Sequence, residues 1–82
     1  MEESRVALIG IIVEDGANTA KINEILSGYR DRIIGRMGIP YHKRDISVIS
    51  IAVDAPADEI SAMSGKIGML PGVSTKTIYA RS

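Results

Sequence analysis

The run from Val6 to Val13, in "RVALIGIIVED", constrains the fold of this chain more than any other segment. Its residues are apolar on both alternating sets, and the turn-forming pair Asp15 and Gly16 closes it. A run of eight residues, rich in β-branched side chains and bounded by a turn signal, is typical of a strand buried on both faces. The chain is therefore expected to fold around a sheet with apolar side chains on each side.

Three further segments are predicted to be strands. The segment from Ile33 to Ile39 contains Gly35 and Gly38 and is followed by Pro40, a composition that suits an edge strand. After the polar loop "YHKRD", the segment "ISVISIAVDA" alternates cleanly, and the short connection makes the pair an antiparallel hairpin. The segment "GVSTKTIYA" supplies the last strand.

Two segments are predicted to be amphipathic helices. In "ANTAKINEILSGYRDR" the apolar residues follow helical spacing, Asn18 is the predicted N-cap, and the helix ends near Gly28. In "PADEISAMSGKIGML" Pro56 fits the first helical position, and Asp58 and Glu59 complement the positive end of the helix dipole. The apolar stripe of the second helix comprises Ile60, Met63, Ile67 and Leu70.

The order β-α-β-β-α-β predicts one domain over residues 1–82. We expect an α+β, ferredoxin-like sandwich with a four-stranded antiparallel sheet and two helices on one face. Two helices cover one face of a sheet, whereas the first and third predicted strands are apolar on both. Because a large apolar sheet face is unusual on a monomer, we expect sheet-to-sheet or edge-to-edge association of identical subunits.

Composition agrees with association and excludes several kinds of site. A domain of 82 residues is marginal on its own, and without cysteine it has neither disulfides nor thiolate metal ligands. Ten basic and ten acidic residues give zero formal charge, which argues against direct nucleic-acid binding. The acidic start "MEESR" is unlike a signal peptide, and no apolar run is long enough for a membrane span, so we expect a cytoplasmic protein.

The loop after the first strand is the candidate ligand site, formed by Asp15, Gly16 and Asn18. Backbone N–H groups near a helix N-terminus suit an anion or a small-molecule carboxylate. The alternative is a glycine-bearing turn with an Asx cap, which needs no ligand.

Two other motifs are weaker. His42 lies beside Lys43 and Arg44, which would repel a cation, so a solvated loop histidine is the simpler interpretation. The "SGK" at Ser64 to Lys66 falls late in a predicted helix, whereas a phosphate loop lies between a strand and a helix. No catalytic serine–histidine–carboxylate set can be assembled, and no metal site or cofactor is expected.

Glycines mark the corner before the last strand. The segment Leu70-Pro71-Gly72-Val73 fits a type II turn, with Pro and Gly at its central positions. Gly68 is predicted as the left-handed helix cap. Gly65 costs helix stability, so it is predicted to permit close approach of the helix to the sheet or to a neighbouring subunit.

The same corner carries a family resemblance. "SGKIGMLPGVSTKTIYA" resembles the late-helix, turn and last-strand signature of ACT-like regulatory domains. Together with "IIVED", "KINEIL", "IIGRMGIPY", "ISVISIAVDA" and "EISAMSGKIGMLPGVSTKT", it resembles the iron-only hydrogenase system regulator family over essentially the whole chain. That family is similar to the effector domain of nickel-responsive repressors.

The resemblance implies a non-enzymatic regulatory module that assembles as a homodimer or homotetramer and senses a small effector at a subunit interface. The ACT ligand loop corresponds to residues 15–18 of this chain. Nickel binding is not carried over, because this chain has one histidine and no cysteine. The alternatives are a DNA-binding transcriptional regulator, a purely structural assembly subunit, or an enzyme that depends on His42.

Overall fold

The chain forms the expected two-layer βαββαβ fold. The computed structural model describes residues 3–14 and 17–81, and within these ranges four strands form one antiparallel sheet in the order β2-β3-β1-β4. The ferredoxin-like, ACT-like α+β prediction is confirmed. The elements are β1 (Ser4–Glu14), α1 (Thr19–Gly28), β2 (Ile33–Tyr41), β3 (Ile46–Pro56), α2 (Ala57–Gly68) and β4 (Val73–Tyr79).

The central strand β1 organises the core. Ile9 pairs with Ile51 of β3 on one side and with Thr77 of β4 on the other. The odd-numbered residues of β1 and β3 face the helices. Each helix packs a buried apolar stripe against them. This core consists of Ala7, Ile9, Ile11, Val13, Ile22, Leu26, Ile49, Ile51, Val53, Ala55, Ile60, Met63, Ile67 and Val73.

The opposite face of the sheet stays open in a single copy of the chain, and it is called the open face below. Val6, Leu8 and Ile12 of β1 point to it and are 38% to 46% exposed. The two-sided apolar pattern of β1 therefore corresponds to one buried face and one half-exposed apolar face. Association of subunits, the expectation drawn from that pattern, stays a prediction.

Strand β2 lies at an edge of the sheet, as its glycines and proline predicted. It extends from Ile33 to Tyr41, two residues beyond the predicted end, and its register with β3 shifts between Ile33 and Gly35. Because of this bulge, the residues after Gly35 present the opposite alternation, with Arg36 and Gly38 on the helix side.

The helix ends follow the sequence signals closely. The Asn18 side-chain oxygen accepts from the backbone N–H of Lys21 at 3.1 Å, which confirms the predicted cap of α1. Pro56 is the N-cap of α2, so the helix begins at Ala57, one residue later than predicted, and Asp58 and Glu59 lie in the first turn. Among the described residues, neither helix combines the length and apolarity needed to cross a bilayer.

The corner before β4 confirms the prediction for Gly72, corrects the one for Gly68 and removes one of the two alternatives for Gly65. Gly72 has φ of +75°, and the Val73 N–H donates to the Leu70 carbonyl at 3.2 Å, as a type II turn requires. Gly68 is not left-handed, so that prediction is wrong. A Cβ at Gly68 would lie 2.9 Å from Thr75 Oγ1, whereas one at Gly65 would meet nothing within 4 Å. The close approach of α2 to the sheet is therefore at Gly68, and contact of Gly65 with a neighbouring subunit stays a prediction.

Candidate functional site

The predicted ligand loop is only partly within the described residues. Asp15 and Gly16 lie outside them, whereas Asn18 and the flanking positions are described. The Asn18 side-chain oxygen is engaged by the helix cap, as a turn without a ligand also requires. The Ala17 N–H donates to the Glu14 carbonyl at 3.1 Å and so fixes the two described ends of the loop relative to each other.

The glycine corner packs directly against this loop. The Glu14 N–H donates to the Gly72 carbonyl at 2.8 Å, and a Cβ at Gly72 would lie 3.3 Å from the Cβ of Ala17. The turn that delivers β4 to the sheet therefore also supports the candidate loop. The sequence treated these two features separately, because 58 residues separate Glu14 from Gly72.

A cleft of about 260 Å³ opens beside the loop. It brings together the end of β1, the start of α1 and the hairpin between β2 and β3. His42, which the sequence placed in a solvated loop, lies on its wall together with Asp45. The lining residues are Val13, Glu14, Ala17, Thr19, Pro40, His42, Asp45, Ile46 and Ser47.

The cleft leads into a second cavity of about 220 Å³ between α1 and β2, with Thr19, Pro40 and Ser47 lining both. At the far end, Arg36 Nη2 donates to Asn23 Oδ1 at 2.7 Å and bridges the strand and the helix. Gly38 faces this space, and a Cβ there would be in ordinary contact with Ile49 at 3.9 Å. The absence of a side chain at Gly38 therefore helps to leave the groove empty.

The polar groups of this groove have both signs of charge. Glu14 and Asp45 are acidic, whereas Arg36 and His42 are basic. Sequence reasoning did not predict that β2 and the β2–β3 hairpin form walls of the groove. The signal for these walls is the pair Gly38 and Pro40, which lie at helix-facing positions of β2.

Several charged groups outside the groove have structural partners. The Arg32 guanidinium forms two hydrogen bonds with the Glu59 carboxylate, at 3.0 and 3.1 Å, and thereby ties the segment after α1 to the first turn of α2. The Asp58 carboxylate accepts from the Glu59 backbone N–H at 3.0 Å. Together with the Arg36–Asn23 bond, these contacts show that Arg32 and Arg36 are each held by a partner on a helix.

The "SGK" segment is confirmed as part of a helix. Lys66 lies in the last turn of α2 and donates to the Tyr29 hydroxyl at 2.9 Å. The Ser64 hydroxyl donates to Thr75 Oγ1 and accepts from Thr77 Oγ1, both at 3.2 Å, so it fastens α2 to β4. A wide groove of about 630 Å³ between the two helices has Lys66 and Tyr29 on its rim, but it lies on the outer surface of the helix layer.

Within residues 3–14 and 17–81, no three histidine, aspartate or glutamate side chains come together as metal ligands would. His42 is exposed and lies in a short 3-10 turn after β2. The described part of the chain therefore offers a polar groove beside a loop rather than an assembled catalytic or metal centre.

Comparison with known proteins places this fold in a family. The chain is 31% identical to uncharacterized protein TM1266 from Thermotoga maritima, with a TM-score of 0.92 over 96% of this chain and all of that one. It also resembles LarC2, the C-terminal domain of a cyclometallase involved in the synthesis of the NPN cofactor of lactate racemase. That structure is 13% identical, with a TM-score of 0.50 over 99% of this chain and 58% of the other, and so shows the fold alone.

No functionally curated protein matches the sequence. A family model does: the TM1266-like family, described as "Iron-only hydrogenase system regulator, putative", matches residues 5–77. This range contains β2, β3 and both helices in full, and all of β1 and β4 except their outermost residues. The chain therefore belongs to the TM1266-like family of iron-only hydrogenase system regulators.

Proposed function

We propose that the chain is a non-enzymatic regulatory protein of the iron-only hydrogenase system, which works as a homodimer or homotetramer. The observation that carries the proposal is the family match across residues 5–77. The open face supports the oligomeric part, because half-exposed aliphatic side chains in a contiguous patch commonly mark an interaction surface.

The proposed regulatory event is the binding of a small polar molecule beside the loop of Asp15, Gly16 and Asn18. The adjoining groove supports this placement, since it is large enough for a metabolite of a few heavy atoms and has polar groups of both charges. The proposed site lies at a subunit boundary. Because the groove is on the helix side of the sheet, this boundary is distinct from the open face, as a homotetramer allows. A ligand that contacts two subunits favours the subunit arrangement in which both contacts are made, and this differential affinity is what regulation requires.

A thermal-shift screen of amino acids, nucleotides and divalent metals tests the sensing part. We expect at least one small polar compound to raise the melting temperature, because a ligand that binds the folded state stabilises it by mass action. The variant Asp15→Asn should weaken that response. Asp31→Asn is the matched control, since it removes the same charge from an exposed position on another loop. No stabilisation by any compound would contradict small-molecule sensing.

A purely structural assembly subunit is the second candidate, and the open face favours it equally. Such a protein would form oligomers without responding to any compound in the screen. A DNA-binding regulator would instead show affinity that falls steeply with salt, because basic contacts release counterions from DNA. With zero formal charge, we expect no measurable DNA binding at physiological salt.

A further inference from the structure

Gly10 lies in the middle of the central strand, although nothing among the described residues of one copy requires a glycine there. The ladder runs through it without a bulge, pairing it with Ser50 on β3 and Lys76 on β4. A Cβ at this position would be 3.8 Å from the Lys76 carbonyl oxygen, which is ordinary van der Waals contact. Glycine inside a strand weakens it and, where there is no bulge, marks close approach of another group.

The surroundings of Gly10 form a hollow between two apolar ridges on the open face. The register places Leu8 in one row with Ala52 and Ile78, and Ile12 in another row with Val48. Between these rows, Gly10 and Ser50 contribute little or no side chain. The resulting hollow has a volume of about 370 Å³, and its lining includes Gly10, Ile12, Val48, Ser50, Ser74 and Lys76.

Charges on the open face lie at its margins. Lys76 is on the edge strand β4, whereas Asp54 and Glu14 are near the ends of β3 and β1. The central positions on β1 and β3 are Leu8, Gly10, Ile12, Val48, Ser50 and Ala52, without a charged group. A protein interface has this distribution, with an apolar core that excludes charge and a polar rim.

We propose that the open face is the surface through which two copies of the chain associate, with their sheets closest at Gly10. The proposal rests on the oligomeric regulator proposed above and specifies which surface the subunits share. A two-fold interface must be complementary to itself. The open face meets this condition. The ridge that contains Leu8 on one copy can lie over the hollow at Gly10 on the second copy, and the Leu8 ridge of the second copy then lies over the hollow of the first.

The size of the face also fits a second copy. Four strands about 4.8 Å apart span roughly 19 Å, and the eight residue steps from Val6 to Glu14 span roughly 27 Å. The projected area is therefore about 500 Å², and the corrugated side chains make the accessible area larger. Stable protein interfaces bury about 600–1,000 Å² per partner, so a dimer of this kind needs nearly the whole of the open face.

The test is the oligomeric state of the variant Gly10→Val, measured by sedimentation equilibrium without added ligand. Valine favours β-strands, and its Cβ would make only an ordinary 3.8 Å contact with the Lys76 carbonyl in a single copy, whereas its side chain would project into the hollow that the second copy would occupy. We expect at least a tenfold rise in the dimer dissociation constant with unchanged far-UV circular dichroism. Gly38→Val is the matched control, because a Cβ there makes a similar 3.9 Å contact on the helix side of β2.

A second pair of variants tests the open-face interface if Gly10→Val does not fold. Leu8→Lys adds a charge to a half-exposed position on the open face, whereas Met69→Lys adds one at a position that is 86% exposed after α2. Dissociation by Leu8→Lys and not by Met69→Lys supports the proposal. A monomeric wild-type protein, or a dimer indifferent to both open-face variants, would overturn it.

These outcomes are separate from the failure of ligand sensing. A dimer that is sensitive to Gly10→Val but unresponsive in the thermal-shift screen supports the open-face interface and contradicts sensing. An edge-to-edge dimer through β4 would keep its affinity in both open-face variants and would therefore contradict the open-face interface alone.

Discussion

Two glycines of α2 give a sharp test of how the helix meets the sheet. Gly65 and Gly68 are three residues apart, but a Cβ at Gly65 meets nothing within 4 Å, whereas one at Gly68 would lie 2.9 Å from Thr75 Oγ1. The substitutions Gly65→Ala and Gly68→Ala add the same methyl group to the same helix. We expect them to change the free energy of unfolding in opposite directions.

The magnitudes follow from the contacts. Alanine at an exposed helical position is about 0.5–1 kcal/mol more favourable than glycine, so Gly65→Ala should stabilise the fold by about that amount. At Gly68 the new methyl group must displace Thr75, a β-branched residue that is stiff at χ1 and hydrogen bonded to Ser64 at 3.2 and 3.3 Å. Overpacking costs about 1–3 kcal/mol, which outweighs the helical gain and leaves a net loss of about 1 kcal/mol or more.

Thermal denaturation at one protein concentration measures both variants, and it is followed by far-UV circular dichroism because the chain has no tryptophan. The two melting temperatures should differ by roughly 8 °C or more, because about 1 kcal/mol shifts a domain of this size by about 4–8 °C. Gly68→Ala should destabilise the Thr75→Ala variant much less than it destabilises the wild-type protein, because the side chain that it would displace is smaller there. Equal stability of Gly65→Ala and Gly68→Ala would refute the reasoning, and destabilisation by Gly65→Ala would instead support a subunit contact at Gly65.

Three further substitutions have expected effects on stability, each measured by the denaturation midpoint. Asn18→Ala should cost about 1 kcal/mol, because it removes the cap of α1, and Asn18→Asp should retain most of the stability. Gly72→Ala should cost at least about 1 kcal/mol, since φ is +75° and the Cβ would lie 3.3 Å from that of Ala17, and a neutral result would contradict the turn assignment. Arg32→Leu should cost less than about 1 kcal/mol, because the Arg32–Glu59 pair is partly exposed, and a much larger loss that persists in high salt would show that the pair is not a surface interaction.

The fold was predictable because each strand, helix and turn is indicated by residues that are close together in the sequence. The alternation of β3, the helical stripe of Ile60, Met63 and Ile67, and the cap at Asn18 depend on spacing alone, and the structure confirms all three. The type II turn at Gly72 belongs to the same class, because proline and glycine restrict the backbone wherever they occur.

The candidate site was less predictable because contacts across the fold create it. His42, Arg36 and the loop before α1 come from three segments, and the groove that joins them depends on where the sheet places β2 relative to α1. The bulge after Ile33 also reverses which side chains of β2 face the helices. No spacing rule in the sequence predicted that reversal.

The sequence by itself determined the order of the elements, the single sheet and the apolar character of both faces of β1, because hydrophobic period and turn chemistry are properties of the local chain. The tertiary structure decided which glycine is sterically required. Gly68 lies against Thr75 of the strand that follows the helix, whereas Gly65 faces open space. The two glycines are three residues apart, and the orientation of α2 about its own axis decides which of them faces the sheet. The tertiary structure also decided that a Cβ at Gly10 would make only an ordinary contact with the neighbouring strand β4, since that follows from how the strands lie side by side and not from the residues next to Gly10 in the sequence.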